Sequence, residues 1–119
     1  MLVEDDISVA EAMIALLETW KCSVIWASDA HEALDLMIRS TEKPSIILAD
    51  YRLPGEQNGV HVATALQLAA GHAIPVIVVT GESELGELRE ISELGYTVLR
   101  KPVRPAKLRS LINHYLSQA

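Results

Sequence analysis

The sequence predicts an α/β domain, with one doubly wound sheet of five parallel strands and helices on both faces. Two observations predict it. Short apolar runs alternate with longer stretches of helical period, five times along the chain. Four of those runs are rich in Val and Ile with little polar alternation, as strands buried on both faces require. Strictly alternating elements of these lengths build a parallel sheet with helical, right-handed crossovers.

The first run is Met1–Val3. A strand beginning at residue 1 without a lead-in is expected of a fragment of a longer chain, or of one whose disordered first residues are missing. A helix is expected over 8–20, with Val9, Ala12, Met13, Leu16, Leu17 and Trp20 on one face at spacings of three and four. Asp6 suits its cap better than a metal site. The second strand is Cys22–Ala27. The second helix, 30–39, gathers Ala33, Leu34, Met37 and Ile38, and Asp29 with Glu32 three residues later forms a capping-box start. The third strand is Ile46–Ala49 and the third helix 59–70. The fourth strand is Val76–Val79, followed by a helix over 84–94 that Gly95 stops. The fifth strand is Thr97–Leu99. Pro105 then opens a last helix over 105–117, which carries Leu108, Leu111, Ile112, Tyr115 and Leu116.

The chain has 119 residues, enough for a single domain spanning 1–119. Half is hydrophobic and 22% charged, an ordinary globular composition. The net charge of −6 argues against non-specific nucleic-acid binding and against contact with an anionic membrane. It suits a soluble protein or one that meets a basic partner. Trp20, Trp26, Tyr51, Tyr96 and Tyr115 are too scattered for a base-stacking platform. No apolar run approaches a membrane span. Cys22 stands alone, reads as a small core residue and fits a reducing, cytoplasmic setting. His31, His61, His72 and His114 show no metal-ligand spacing and read as surface residues.

In sheets of this kind ligands sit at the carboxyl ends of the strands. There the chain places Glu4, Asp5 and Asp6 after strand one, Asp50 after strand three, Thr80 after strand four and Lys101 after strand five. Asp50 ends an apolar run, where a carboxylate is costly unless paired or metal-bound. Acids gathered beside it repel unless a cation is present. Mg²⁺ takes one or two carboxylates plus water and phosphate oxygens. Lys101 adds a point charge suited to phosphate, and Thr80 a hydroxyl. Together they suit phosphoryl transfer to a carboxylate, with Asp50 as nucleophile.

The pieces LVEDD (2–6), ILADYRLPG (47–55), VIVVTG (76–81) and VLRKPV (98–103) resemble the receiver domains of bacterial two-component response regulators. Each motif alone is weak; four in order, each at the end of its own strand, are strong. The resemblance implies the flavodoxin-like (βα)5 fold and a phosphoprotein role. Asp50 would accept a phosphoryl group from a phosphohistidine on a histidine kinase or histidine phosphotransfer domain, switching conformation and partners. The cofactor implied is Mg²⁺, held directly by Asp5 and Asp50, by Glu4 through water, and by the backbone carbonyl of Arg52. Thr80 and Lys101 would bind phosphoryl oxygens, and Lys101–Pro102 would be cis. Helix one and the loop after Asp50 would meet the kinase. The domain would catalyse its own phosphorylation and dephosphorylation and be otherwise inert, and a homodimer is left open.

Two features depart from the family pattern. Val98 stands three residues before Lys101, where an aromatic often sits, and Tyr96 comes two residues too early. The turn after Asp50 is one residue longer than the commonest form. Arg52 and Glu82 are expected to pair across the mouth of the site, hinder water and tune the phosphoaspartate lifetime. The tail VLRKPVRPAKLRSLI, the longer turn and the abrupt start resemble the C-terminal receivers of hybrid sensor histidine kinases.

Three rival readings fit the sequence less well. A haloacid-dehalogenase-type phosphatase wants an Asp two residues after the nucleophile, where Arg52 stands. A flavodoxin-like FMN protein wants a Gly/Ser/Thr loop after strand one, and VEDD is its electrostatic opposite. A receiver used only as a phosphorylation-independent interaction module would not need Glu4, Asp5, Asp50, Thr80 and Lys101 intact.

Overall fold

In a computed structural model, which describes residues 1–55, 57–81 and 88–117, strands and helices alternate along the whole chain. They are β1 (Leu2–Val3), α1 (Ile7–Thr19), β2 (Trp26–Ala27), α2 (Ala30–Arg39), β3 (Ile47–Asp50), α3 (Gly59–Ala70), β4 (Val76–Thr80), α4 (Leu88–Glu93), β5 (Thr97–Arg100) and α5 (Pro105–Ser117). The sheet order is β2-β1-β3-β4-β5, and each paired strand runs parallel to its neighbour. After β2 the chain returns past β1 to start β3. The order therefore reverses between β1 and β3, which opens a crevice at their carboxyl ends.

Alternate residues of each strand face opposite sides of the sheet. Val3, Ile47, Ala49, Val76 and Val78 pack with Ala33 and Met37 of α2, Val60, Ala63 and Leu66 of α3, and Ile91 of α4. Leu2, Leu48, Ile77, Val79 and Leu99 pack with Ala10 and Leu17 of α1 and Leu108 and Ile112 of α5. Two apolar layers thus sandwich one sheet, and β3 and β4 are buried along their full lengths. Strands covered on both sides carry apolar residues in near-continuous runs, the pattern seen in the sequence.

Three details differ from expectation. Ladder pairing in β2 is confined to Trp26–Ala27, because its one neighbour, β1, pairs with it only through Leu2 and Val3. Cys22 is consequently half-buried against the α1/α5 layer rather than inside a strand. Asp29 caps α2 through the Glu32 amide at 2.8 Å, but Glu32 accepts from the Ser28 hydroxyl at 3.3 Å. The reciprocal box forms at α3 instead. There the Asn58 side chain accepts from the His61 amide at 3.0 Å, and the His61 ring accepts from the Asn58 amide. Asp6 caps α1, accepting from the Val9 amide at 3.1 Å, and Gly95 follows α4 at φ 79°. Residues 84–87 of the expected fourth helix lie outside the described residues.

Candidate functional site

The parallel register brings four strand ends level. Val3 pairs with Ala49, Asp50 with Val79, and Thr80 with Arg100. Glu4, Asp50, Thr80 and Lys101 therefore emerge along one edge of the sheet, across the β1/β3 crevice. Their settings differ. Glu4 is 5% exposed, Asp50 8% and Thr80 0%, while Asp5 and Lys101 are exposed.

Glu4, Asp5 and Asp50 each offer a carboxylate oxygen, all within 4.8 Å of one another. The Lys101 ammonium lies 3.1 Å from Asp50 Oδ1 and donates a hydrogen bond to Oδ2 at 3.2 Å. Oδ1 makes no hydrogen bond despite that proximity. It and Thr80 Oγ1 are the buried side-chain oxygens without a hydrogen-bond partner among the described residues. A buried polar atom left unpaired costs about 1–3 kcal/mol, so the partnerless Thr80 hydroxyl, next to a carboxylate oxygen met by the Lys101 ammonium alone, marks a place where something else binds. Glu4 adds to the strain. Burial raises its carboxyl from 4.5 to about 7, the Asp6 backbone amide offsets part of the rise, and the Asp50 charge pushes it higher again. A carboxylate oxygen that accepts no hydrogen bond, three converging acids and a carboxyl held away from ionisation all fit a hard divalent cation such as Mg²⁺.

Two supports escaped the sequence reading. A Cβ at Gly59 would lie 2.3 Å from the Asp50 carbonyl oxygen. The first turn of α3 thus rests on the backbone of the Asp50 loop, and the Gly59 amide donates to the Tyr51 carbonyl at 2.8 Å. The Trp26 indole donates to the Glu4 carbonyl at 2.8 Å and pins the start of the acidic loop. The Asn58-Gly59 pair was the available signal for the first; a partner 22 residues away left none for the second.

Arg52 is exposed on the loop after β3. Glu82 lies outside the described residues, and so does the expected Arg52–Glu82 pair. The Lys101–Pro102 bond is cis, as expected. Tyr96 is occupied elsewhere, its hydroxyl bonding to Thr64 and to Gln67 of α3 at 2.9 Å each. The four histidines are exposed.

Comparison with known proteins agrees with this fold. Sporulation initiation phosphotransferase F of Bacillus subtilis is 25% identical over 117 residues, 98% of this chain and 91% of that protein. The transcriptional regulatory protein CpxR of Escherichia coli is 31% identical over 120 residues, all of this chain and 49% of that protein. A response regulator receiver domain protein from Clostridium thermocellum, 23% identical, superposes with a TM-score of 0.88 over 98% of this chain and 92% of that one, a likeness of fold. The family model of the response regulator receiver domain matches residues 1–113, and the chain belongs to that family.

Proposed function

We propose that this receiver domain accepts a phosphoryl group on Asp50 from a phosphohistidine of a histidine kinase or histidine phosphotransfer domain. The observation that carries the reading is the grouping of the buried Asp50 carboxylate, ion-paired with the Lys101 ammonium, and the buried Thr80 hydroxyl, which has no hydrogen-bond partner among the described residues. An Asp50 oxygen attacks phosphorus, an O–P bond forms as the N–P bond breaks, and the imidazole leaves with the partner. Burial of Asp50 strips water from the nucleophile, and β3 holds it in place. The Thr80 hydroxyl then donates to a phosphoryl oxygen. Lys101 moves its hydrogen bond from the carboxylate to the phosphoryl group, whose extra charge attracts it more strongly.

Asp5, Asp50 and the backbone carbonyl of Arg52 would hold Mg²⁺, with Glu4 acting through water. Bound there, the ion supplies positive charge against the phosphoryl oxygens and the acids. Arg52 and Glu82, flanking Asp50 and Thr80 in sequence, would slow attack by water on the phosphoaspartate. Residues 1–119 act as one domain, exchanging partners when phosphorylated. The tail and the longer turn support a receiver attached to a histidine kinase. A cytoplasmic site of action follows from the chemistry of such a donor.

Intact-protein mass after incubation with Mg²⁺ and acetyl phosphate tests this. Wild type gains one phosphoryl group (about 80 Da) and Asp50→Ala gains none. No gain on wild type, with Mg²⁺ binding also absent, favours a phosphorylation-independent interaction module.

A further inference from the structure

The loop between β1 and α1 consists of Glu4, Asp5 and Asp6, all of them acids. Both of its ends are tied. The Glu4 amide donates to the Ala27 carbonyl at 3.0 Å, and the Glu4 carbonyl accepts from the Trp26 indole at 2.8 Å. The Asp6 amide donates to Glu4 Oε2 at 3.2 Å, and Asp6 caps α1 through the Val9 amide. Asp5, between them, makes no backbone hydrogen bond among the described residues. Its carboxylate nevertheless comes within 4.8 Å of the Glu4 and Asp50 oxygens. The place of Asp5 is therefore set by its neighbours.

Trp26 stands on β2, an edge strand, in register with Leu2, and its side chain reaches two residues further along the neighbouring segment to Glu4. An indole nitrogen only donates, so the bond runs in one direction. A half-buried Trp pairs its N–H with some acceptor, and any nearby carbonyl would meet that need. Here the carbonyl belongs to a member of the acidic cluster. Like charges gathered in one place repel, and that repulsion would swing a freely hinged loop outward. The two hydrogen bonds from Glu4 to β2 oppose it. A loop already held in place needs no ordering when a ligand arrives, which strengthens binding.

We propose that Trp26 is a positioning residue for the cation centre: its indole, bonded to the Glu4 carbonyl, holds the β1–α1 loop so that Asp5 meets Glu4 and Asp50 before an ion binds. Trp26 acts through the Glu4 backbone. The inference rests on the reading of that site as a Mg²⁺ centre.

The test is amide and indole NMR of the isotope-labelled, unphosphorylated full chain, titrated with magnesium chloride alone. The chain has two Trp residues and so two indole N–H signals. Trp20 ends α1, roughly 20 Å from the loop, and serves as the internal control. Mg²⁺ is expected to shift the Trp26 indole signal and slow its exchange with solvent, at the same midpoint as the Asp5 amide, and to leave the Trp20 indole in place. Trp26→Phe keeps an aromatic body and removes the donor. It should weaken Mg²⁺ binding about threefold to tenfold, as the loss of one hydrogen bond implies. A merely structural Trp26 would lower stability and leave Mg²⁺ affinity alone, as Tyr96→Phe should. Unchanged Mg²⁺ affinity in folded Trp26→Phe would overturn the inference and leave the phosphoacceptor reading standing. So would a Trp26 indole signal unmoved by saturating Mg²⁺, a result that needs no variant to fold. Absence of Mg²⁺ binding by wild type would overturn the cation centre, and this inference with it.

Discussion

Glu4 offers a measurable handle on why the site needs a cation. Glu4→Gln keeps the shape of the side chain and an acceptor for the Asp6 amide, now 3.2 Å from Glu4 Oε2, but removes the charge. Burial is the main cause of the Glu4 carboxyl rising from 4.5 to about 7; discounted for solvent screening and for the share carried by the neighbouring acids, the rise corresponds to on the order of 1–2 kcal/mol of folding free energy. The sign follows from which state holds the proton more tightly. The folded state does, so this stability is fully present below about pH 4.5 and is lost as pH climbs through about 7. Metal-free wild type should thus weaken relative to Glu4→Gln by on the order of 1–2 kcal/mol between about pH 4.5 and about pH 8. Urea unfolding of both proteins in chelator across that range reads the gap directly. Added Mg²⁺ should then stabilise wild type more than the variant, because ligand binding stabilises only the folded state that holds it. A gap that stays flat within about 0.5 kcal/mol across the range would refute the account of Glu4 as a buried, cation-seeking carboxyl.

Gly59→Ala forces a Cβ to 2.3 Å from the Asp50 carbonyl, with backbone on both sides of the clash. Overpacking of this kind costs about 1–3 kcal/mol, so a lowered melting temperature and slower phosphorylation by acetyl phosphate are expected; a variant as stable as wild type would contradict the packing described. Tyr96→Phe removes the hydroxyl that joins Thr64 and Gln67. It should cost about 0.5–1.5 kcal/mol in urea unfolding and leave the phosphorylation rate of Asp50 unchanged.

The architecture was legible because each level agreed with the next. Apolar runs without polar alternation mean strands covered on both sides, and helical period between them means crossovers. Parallel strands joined in that way must deliver Glu4, Asp5, Asp50, Thr80 and Lys101 to one edge. The caps at Asp6 and Asp29 are short-range devices, so local sequence sufficed for them. Less was legible where a contact spans the fold. The Trp26–Glu4 bond and the contact of Gly59 with the Asp50 backbone join elements that periodicity treats separately. The expected length of β2 exceeds its ladder because pairing reaches only as far as the neighbouring strand, here Leu2 and Val3 of β1, and topology assigns that neighbour.

By itself, then, the sequence determined the alternating order, the layered core and the set of groups facing the crevice, since all three follow from spacing and chain connectivity. Only the tertiary structure decided which of those groups are buried and unpaired. Desolvation of Glu4, Asp50 and Thr80, the placement of Lys101 on Asp50, and the reach of the Trp26 indole to the Glu4 carbonyl depend on distances between segments remote in the chain. Those distances exist only once the sheet has formed and the helices have packed upon it.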